Sequence, residues 1–419
     1  MSKRWINILL SLCLVSFLFA ACRRNMSDDK PLPTSYYPSI LISSDNNILY
    51  AIDPNTGKKN WQKTMPVTYF TGTLAVFKTS PLLYNQSIYV VRDATDSIMK
   101  VDARDGSTIK TFCVATPNPG GNPNPVPPFN VVGTPIADGK LMYVPTISGT
   151  IYAFDTGTGI VAWQYTAASA LVASPTIYNG NIYIATTGGH VTCLNKTTGP
   201  DVGGNPIWDY PGSYPLAPGL NPSFISSPSI CPPYLYVGGA LDSNMYCIYL
   251  TPPASFLTSY PYTDSLRFTF KTKGNIFSSP ATGHQRCVFG STDFNVYCID
   301  TLAQNVWTPR PTSSKVNSSP IIDNQTIYVG SDDYNIYAIN MLNGTIKWHC
   351  TTQGLIKSSP LVYQGTVFVG SYDGYLYAVD SAQGNLKWRY PITGNIQCSP
   401  TIDDYTGTQY NSGISGYTN

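Results

Sequence analysis

The sequence predicts an all-β protein: an eight-bladed β-propeller of four-stranded antiparallel blades, closed into a ring by its C-terminal strand. Residues 358–390 give the clearest repeat unit, because four short runs of β-branched and aromatic residues are separated there by turn signals. Ser-Pro or Thr-Pro dipeptides and tryptophans recur at the spacing of this unit. A lone sheet of this size leaves two apolar faces uncovered, so we expect successive units to pack face to face.

A Ser-Pro or Thr-Pro dipeptide marks the start of each unit. The last four prolines of this set lie 40 residues apart, and the other intervals are 40 or 52 to 54 residues. A tryptophan marks the end, with Phe112 and Phe268 as weaker counterparts in two units. Eight starts and eight ends predict eight blades. The starts are Ser80, Thr134, Ser174, Ser227, Ser279, Ser319, Ser359 and Ser399, and the ends are Trp61, Trp163, Trp208, Trp307, Trp348 and Trp388.

Three further positions of the repeat have predictable structural roles. A tyrosine recurs in the third strand and a small residue follows it, as in Tyr377-Ala378, which indicates a cramped site. A glycine four residues before the tryptophan, such as Gly384 before Trp388, is expected in a turn that needs positive φ. We expect each tryptophan to pack between adjacent blades, with its indole N–H donating to a backbone carbonyl.

The N-terminal segment has the pattern of an export signal. Residues 1–21 begin with basic residues, continue with an apolar run and end in small residues before Cys22, which predicts a signal peptide. The sequence 18–22 resembles a bacterial lipobox, and this implies that Cys22 is lipidated. Plain secretion and a transmembrane anchor are the alternatives, although the apolar run is short for an anchor. Residues 22–38 are predicted to be a tether between the lipid and the folded domain.

The two ends of the repeat region are predicted to meet in one blade. The first unit lacks a Ser-Pro strand before Ile40, whereas residues 399–403 form a Ser-Pro strand that has no blade of its own. The economical interpretation is that this C-terminal strand completes blade 1, so the ring has no open sheet edge. The propeller is therefore predicted to span residues 39–405, followed by a C-terminal tail at 406–419.

The repeat resembles a known family. The order Ser-Ser-Pro, Tyr-Val-Gly-Ser, Tyr-Ala-Ile-Asn or Tyr-Ala-Val-Asp, and then Gly four residues before Trp is similar to the PQQ-type β-propeller repeat. It is clearest at residues 325–348 and 365–388. Both quinoprotein dehydrogenases and non-catalytic scaffolds share this repeat, so the resemblance implies the fold and leaves the function open.

Composition favours the scaffold over the dehydrogenase. Quinoprotein dehydrogenases hold calcium and the quinone with a glutamate, an asparagine and an aspartate, often beside a disulfide of adjacent cysteines. All 23 acidic residues here are aspartates, and no two cysteines are adjacent. The three histidines, His190, His284 and His349, occupy unrelated repeat positions. We therefore expect no enzyme activity, no catalytic residue, no cofactor and no metal site.

Most of the cysteines are predicted to be packing residues. Cys193, Cys247 and Cys298 fall where other repeats have alanine, which predicts small buried sites. A disulfide between Cys287 and Cys298 is the one pairing that the sequence supports. It requires a two-residue turn at Thr292-Asp293, which would place the two cysteines opposite each other across a hairpin.

The long insertions are the predicted recognition elements. A net charge of +2, with 11% charged residues, argues against nucleic-acid binding. In a meander propeller, the blade links at 113–132 and 209–225 lie on one face, whereas the insertion at 251–265 lies on the other. Both links are rich in Pro, Gly and aromatic residues, which suit partner binding. The candidate partner-binding residues are Pro117, Pro127, Phe129, Tyr210, Tyr214 and Phe224.

These features predict a non-catalytic lipoprotein of the outer membrane of a Gram-negative bacterium, on its periplasmic face or at the cell surface. It is expected to be a monomeric propeller that binds other envelope proteins or peptides and contacts the membrane through its N-terminal lipid. Its architecture is similar to that of the propeller lipoprotein of the outer-membrane β-barrel assembly machinery. The alternatives are a quinone-binding oxidoreductase and a surface glycan-binding lipoprotein, the latter because many Tyr and Asn residues are expected to be exposed.

Overall fold

The computed structural model describes residues 38–65, 69–70, 73–74, 79–91, 97–113, 131–211, 220–250, 265–404 and 410–411. Eight antiparallel sheets follow one another along these ranges as the blades of a propeller, and the predicted fold class is confirmed. The described part of the chain contains no helix long and apolar enough to cross a membrane. Cys22 and the rest of the predicted signal and tether up to residue 37 lie outside the described residues.

The strands of blades 1 to 4 come first in the chain. Blade 1 contains β1 (Ser39–Ser43), β2 (Ile48–Ile52) and β3 (Lys59–Thr64), and a separate hairpin of β4 (Tyr69–Phe70) and β5 (Thr73–Leu74) follows it. Blade 2 contains β6 (Leu82–Tyr84), β7 (Ser87–Val91), β8 (Ser97–Asp102) and β9 (Thr108–Cys113). Blade 3 contains β10 (Ile136–Asp138), β11 (Leu141–Pro145), β12 (Thr150–Asp155) and β13 (Val161–Thr166). Blade 4 contains β14 (Thr176–Tyr178), β15 (Asn181–Ala185), β16 (Val191–Asn195) and β17 (Trp208–Tyr210).

The remaining blades repeat the same order. Blade 5 contains β18 (Ser229–Cys231), β19 (Tyr234–Gly238), β20 (Asn244–Tyr249) and β21 (Leu266–Lys271). Blade 6 contains β22 (Ala281–Gly283), β23 (Arg286–Gly290), β24 (Asn295–Asp300) and β25 (Arg310–Pro311). Blade 7 contains β26 (Ile321–Asp323), β27 (Thr326–Gly330), β28 (Asn335–Asn340) and β29 (Ile346–Thr351). Blade 8 contains β30 (Leu361–Tyr363), β31 (Thr366–Gly370), β32 (Tyr375–Asp380) and β33 (Leu386–Pro391).

The C-terminal strand closes the ring as predicted. Strand β34 (Thr401–Asp403) pairs antiparallel with β1, with Ile402 opposite Ile40, and so becomes the first strand of blade 1. Strand β35 (Tyr410–Asn411) then pairs with the other edge of β34, which makes blade 1 five-stranded. Part of the predicted tail is therefore a strand of blade 1.

The core lies between the blades. Eight clusters of buried apolar side chains each join two neighbouring blades, including the last and the first. Because the middle strands are covered on both faces, they are mostly apolar, and every residue of β27 is buried. The outer strand β33 alternates between exposed and half-buried residues instead. This arrangement explains why most described tyrosines are buried or half-buried rather than exposed.

Tryptophans at the ends of the units hydrogen-bond to the neighbouring blade, as predicted. The indole N–H of Trp348 in blade 7 donates to the carbonyl of Ser381 in blade 8, at 3.0 Å. A Cβ on Gly384 would lie 2.6 Å from the same indole ring, and Gly384 has a φ of 77°. Trp388 makes the same contacts with Pro54 and Gly57 of blade 1. Corresponding indole hydrogen bonds are made by Trp61, Trp163 and Trp307.

The small residue of the third strand faces the tryptophan of the fourth strand. Ala338 is opposite Trp348, and Cys193 is opposite Trp208. A larger side chain there would compete with the indole ring for space, so alanine and cysteine are interchangeable at this position. Burial raises the pKa of the Cys193 thiol to about 12, which keeps it protonated and unreactive at neutral pH.

The predicted disulfide between Cys287 and Cys298 is wrong. Cys287 is opposite Ile299, and Cys298 is opposite Val288, so the two thiols point to opposite faces of the sheet. Cys287 lies in the core between blades 5 and 6, and Cys298 lies in the core between blades 6 and 7. Both are free cysteines. The turn is one residue longer than predicted, and a one-residue change of register exchanges the faces.

The Ser-Pro and Thr-Pro markers form a closed ring of hydrogen bonds. The backbone N–H of Ser319 donates to Oγ of Ser359 at 3.2 Å, and that of Ser359 donates to Oγ of Ser399 at 3.0 Å. The N–H of Ser399 donates to Oγ of Ser80 at 2.9 Å, which joins the end of the chain to blade 2. The remaining donors are Ser80, Thr134, Ser174, Ser227 and Ser279. A hydroxyl before the proline therefore satisfies the backbone of the preceding blade.

Candidate interaction face

The two faces of the propeller have different connections. We call the link face the surface formed by the hairpins between second and third strands together with the connections between blades. The turn face is formed by the hairpins between first and second strands and by the turns between third and fourth strands. In chain order, the segment 114–130 connects β9 to β10, 212–219 precedes β18, and 251–264 connects β20 to β21; all three segments lie outside the described residues.

The hairpins of the link face share one backbone geometry. In blade 7 the N–H of Tyr334 donates to the carbonyl of Ser331 at 3.2 Å, and the carbonyl of Tyr334 accepts from the N–H of Thr352 at 2.7 Å. The first bond closes the hairpin and the second holds the following blade link. Tyr334 is the last residue of this three-residue turn and has a φ of 74°. The corresponding positive-φ residues in other blades are Asn47, Gly149, Gly189, Ser243, Phe294 and Gly374.

An aspartate in each of three neighbouring hairpins organises the same face. In blade 7, Oδ2 of Asp333 accepts from the Tyr337 hydroxyl at 2.7 Å and from the N–H of Ser313 at 2.8 Å. Its Oδ1 accepts from the N–H of Asn335 at 3.0 Å, as in an Asx turn. Asp293 and Asp373 repeat this pattern in blades 6 and 8. These carboxylates are structural acceptors, and burial together with Asp333 raises the pKa of Tyr337.

The exposed groups of the link face at blades 5 to 7 are apolar and basic. Leu241 is 65% exposed, and Phe294 and Tyr334 are each 44% exposed. Lys273, Lys315 and Lys357 are exposed in the blade links beside them. Exposed aromatic side chains are enriched at surfaces that bind other proteins, and exposed lysines can pair with the carboxylates of a partner.

The pair Asn317 and Asp332 lies among these lysines. Nδ2 of Asn317 donates to Oδ2 of Asp332 at 2.8 Å. Burial raises the pKa of Asp332, and the nearby Lys357 and Lys315 act in the opposite direction. Asp332 is therefore the carboxylate that faces the basic side chains of the link face.

The structure corrects two of the predicted partner-binding residues. Tyr210 ends strand β17 and is 2% exposed, and Phe224 is 0% exposed. Both pack in the core between blades 4 and 5, where the Phe224 ring lies 5.1 Å from that of Tyr246. They are wrong as contact residues because the ends of the link are part of the core. Pro117, Pro127, Phe129 and Tyr214 lie outside the described residues.

Sequence reasoning missed the exposed hairpin residues Phe294 and Tyr334. The signal was present in the repeat alignment, because both residues occupy the position that Gly374 occupies in blade 8. An aromatic residue in a glycine position of a turn is unusual, and this substitution is visible in the sequence alone.

Few other candidate functional groups occur in the described parts of the chain. Within them, no group of three or more His, Cys, Asp or Glu residues could hold a metal ion. Nδ1 of His190 lies 2.7 Å from Oδ2 of Asp209 at the link-face end of blade 4. An open cavity of about 660 Å³ on the turn face is lined by Asp323, Tyr363 and Asp404 among others.

A family model and one curated protein match this sequence. The model described as outer membrane protein assembly factor BamB matches residues 29–113, 126–226 and 264–409. The serine/threonine-protein kinase AfsK of Streptomyces griseus is 27% identical over 174 residues, which are 39% of this chain and 19% of the kinase. The chain thus spans about a fifth of the length of the curated relative that it matches.

Three solved structures are similar in fold. BamB from Moraxella catarrhalis aligns with a TM-score of 0.56 and 18% identity, covering 84% of this chain and 92% of that protein. The computationally designed Ika8 protein aligns with a TM-score of 0.60 and 13% identity, covering 80% and 97%. A europium-containing methanol dehydrogenase aligns with a TM-score of 0.59 and 14% identity, covering 82% and 84%. At these identities the likeness shows the fold alone.

Proposed function

We propose a function from the premise that this chain belongs to the family of the outer membrane protein assembly factor BamB. In this proposal the protein is a non-catalytic scaffold of the bacterial envelope that takes part in outer-membrane protein assembly. The observation that carries the proposal is the extent of the family match, which reaches from residue 29 to residue 409 with two gaps and so includes parts of all eight blades.

The use of polar groups in the ring supports a scaffold. The hydroxyls of the Ser-Pro markers bind neighbouring backbones, and the hairpin aspartates bind tyrosine hydroxyls and backbone N–H groups. Groups that already have such partners are poorly placed for acid–base work. The exposed Phe294, Tyr334 and lysines of the link face supply contact area instead.

Membrane attachment through a lipid on Cys22 is part of the same proposal, because residues 1–22 have the pattern of a lipoprotein signal. Intact-mass analysis of the mature protein would test it. The proposal expects an acylated Cys22 at the N-terminus, and an unmodified chain that begins at another residue would contradict it.

Deletion of the gene in its own host tests the assembly role. The fraction of outer-membrane β-barrel proteins that is folded can be measured by its heat-modifiable mobility on gels, together with the total amount of each protein. The scaffold proposal expects a lower folded fraction in the deletion strain and recovery with the wild-type gene. An unchanged folded fraction would contradict the assembly role.

A quinone-dependent oxidoreductase is the second candidate, because a methanol dehydrogenase shares the fold. The purified protein would be mixed with pyrroloquinoline quinone and Ca²⁺ or a lanthanide, and dye reduction by alcohols would be followed. We expect no turnover, since the chain has no glutamate. Alcohol-dependent dye reduction would favour the enzyme. The glycan-binding alternative loses its original support, because most described tyrosines are buried or half-buried.

A further inference from the structure

Two neighbouring hairpins of the link face carry aromatic residues in a left-handed backbone conformation. Phe294 in blade 6 has a φ of 71°, and Tyr334 in blade 7 has a φ of 74°. Bulky L-residues rarely adopt this region, because their Cβ approaches the following carbonyl. Blades 3, 4 and 8 place glycine at the equivalent position, as Gly149, Gly189 and Gly374, and blades 1 and 5 have the small polar residues Asn47 and Ser243.

The fold imposes this conformation, whatever the residue is. The N–H of Gly374 donates to the carbonyl of Ser371 at 3.1 Å, and the carbonyl of Gly374 accepts from the N–H of Ile392 at 2.7 Å. These distances are nearly the same as those of Tyr334. A Cβ at Gly374 would lie 2.9 Å from the carbonyl oxygen of Ile392, and one at Gly149 would lie 2.8 Å from that of Ser169. Side chains at this position therefore crowd the following blade link, and glycine is the less strained choice.

Packing does not explain why two blades have aromatic residues there. Phe294 and Tyr334 are each 44% exposed, and the core clusters between blades 5 and 8 do not contain them. A strained position with an exposed aromatic ring indicates a role in contact with something outside the fold.

Lysines alternate with these rings around three blades. The link that begins at Thr312, held by the carbonyl of Phe294, continues to Lys315, whose carbonyl accepts from the N–H of Asp332 in the next hairpin. Lys315 thus lies in the link between the Phe294 and Tyr334 hairpins. Lys357 follows in the next link, with its Nζ 4.9 Å from the centre of the Tyr372 ring. Lys273 precedes the Phe294 hairpin, and all three lysines are exposed.

The three hairpin aspartates of this surface are directed inward, and only Asp332 among the acidic groups named here faces the lysines. Asp293, Asp333 and Asp373 each accept hydrogen bonds from a tyrosine hydroxyl and from backbone N–H groups. Asp332 is half-buried and bound to Asn317. The ammonium groups are therefore more accessible to a partner than the carboxylates are, although the total number of charges of each sign is similar.

We propose that the aromatic hairpins of blades 6 and 7, with Lys315 between them, bind an extended polypeptide segment that carries both apolar and acidic side chains. The Phe294 and Tyr334 rings contact the apolar side chains of the segment, and the lysines pair with its carboxylates. The identification of the partner as a protein segment rests on the proposed scaffold function. The backbone strain at Phe294 and Tyr334 is independent of that function.

The strain is tested by comparing glycine and alanine at both positions. Phe294→Gly and Phe294→Ala remove the same ring, as do Tyr334→Gly and Tyr334→Ala. At an ordinary exposed position alanine is the more stabilising residue, but at positive φ glycine is. We expect both glycine variants to unfold at higher urea concentration than the alanine variants. The opposite order at both positions would overturn the strain argument.

Binding is tested with a fluorescein-labelled peptide in which Leu and Asp alternate, and its fluorescence anisotropy is measured against the full-length protein. We expect the double variant Phe294→Gly, Tyr334→Gly to bind the peptide about tenfold or more weakly. Leu342→Ala, at a 53% exposed site on the turn face of blade 7, is the matched control and should bind normally. A peptide with Lys in place of Asp should bind weakly to the wild type.

Equal affinity of the wild type and the double glycine variant would overturn the proposal. So would binding to phosphatidylglycerol vesicles that depends on Phe294 and Tyr334 when the peptide is not bound, because that result assigns the surface to a membrane. If the peptide result holds while deletion of the gene leaves outer-membrane proteins folded, only the proposed assembly role fails.

Discussion

At the scale of single residues, Gly57, four residues before Trp61, has two separate reasons to be glycine. Gly57 has a φ of 68°, and a Cβ there would lie 2.6 Å from the Trp388 ring of the neighbouring blade. Gly180 has a φ of 80°, but a Cβ there would meet no atom within 4 Å. The two positions therefore separate backbone strain from contact with the indole.

Replacement of these two glycines tests the blade-to-blade contact. Gly180→Ala should cost about 1 kcal/mol, the strain of positive φ alone. Gly57→Ala should cost about 2–4 kcal/mol, because overpacking against the indole adds to that strain. Free energies of unfolding from urea titrations give both values. Equal costs would show that the indole ring does not restrict Gly57.

The His190–Asp209 pair predicts a dependence of stability on pH. The hydrogen bond to Asp209 raises the pKa of His190, and burial opposes this rise only partly. Because the folded pKa is above the unfolded value of about 6.5, the stabilisation is complete below that pH and is lost as pH rises through the folded pKa. His190 is partly exposed, so the effect should stay below about 1 kcal/mol.

Comparison of the wild type with His190→Gln measures this effect. The difference in unfolding free energy should be larger at pH 5.5 than at pH 9. A His190→Gln difference that grows with pH would show that the imidazole is stabilised in its neutral form.

At the scale of strands and hairpins, the Ser-Pro and Thr-Pro dipeptides were recognisable in the sequence, but the ring of hydrogen bonds that their hydroxyls form was not. The eight dipeptides were visible as a period, but their role depends on which backbone lies next to each hydroxyl in three dimensions. Thr134 takes part in the ring as an acceptor like the serines. The hydroxyl, rather than the size of the residue, is thus the shared requirement.

Substitution of Ser319 tests the ring. Ser319→Ala removes the acceptor for the N–H of Ser279, which donates at 2.9 Å, and should cost about 1 kcal/mol because a partly buried donor is left unpaired. Ser319→Thr keeps a hydroxyl and should cost less. Urea titrations compare the two variants. An alanine variant as stable as the threonine variant would show that the ring does not stabilise the fold.

The hairpin of blade 6 shows why one prediction failed. A two-residue turn would have placed Cys287 opposite Cys298, but the hairpin includes Phe294 in a left-handed conformation and is one residue longer. Turn length was ambiguous because phenylalanine gives no signal for positive φ, whereas Gly374 gives that signal in blade 8. The same ambiguity hid the exposed aromatic rings of the link face.

At the scale of the whole molecule, the fold could be predicted because the residues that repeat along the sequence each have a local structural role. Proline, glycine and tryptophan mark strand starts, turns and blade contacts, and Ser399 had no blade unless it closed the first one. For the candidate interaction face, the sequence predicted which side of the ring carries the long links but not which residues are exposed on it. Burial of Tyr210 and Phe224 depends on how the ends of a link pack between blades, and composition does not encode this.

Truncation tests the closure. Removal of all residues after Gln397 deletes β34, the buried Ile402 and the Ser399 link to Ser80. We expect the melting temperature to fall by about 5 °C or more, because blade 1 loses its first strand. Truncation after Asp404 keeps β34 and is the control. A variant ending at Gln397 that melts at the full-length temperature would contradict closure.

The central claim is that a closed ring binds an envelope protein through its link face. Photo-crosslinking in living cells tests it most directly, with a photoreactive amino acid at Tyr334 or at Leu342, which are 44% and 53% exposed on opposite faces of blade 7. The account predicts a crosslink from residue 334 to an outer-membrane β-barrel protein or a component of its assembly machinery, identified by mass spectrometry, and little product from residue 342. Crosslinks to such a protein from residue 342 but not from residue 334 would contradict it.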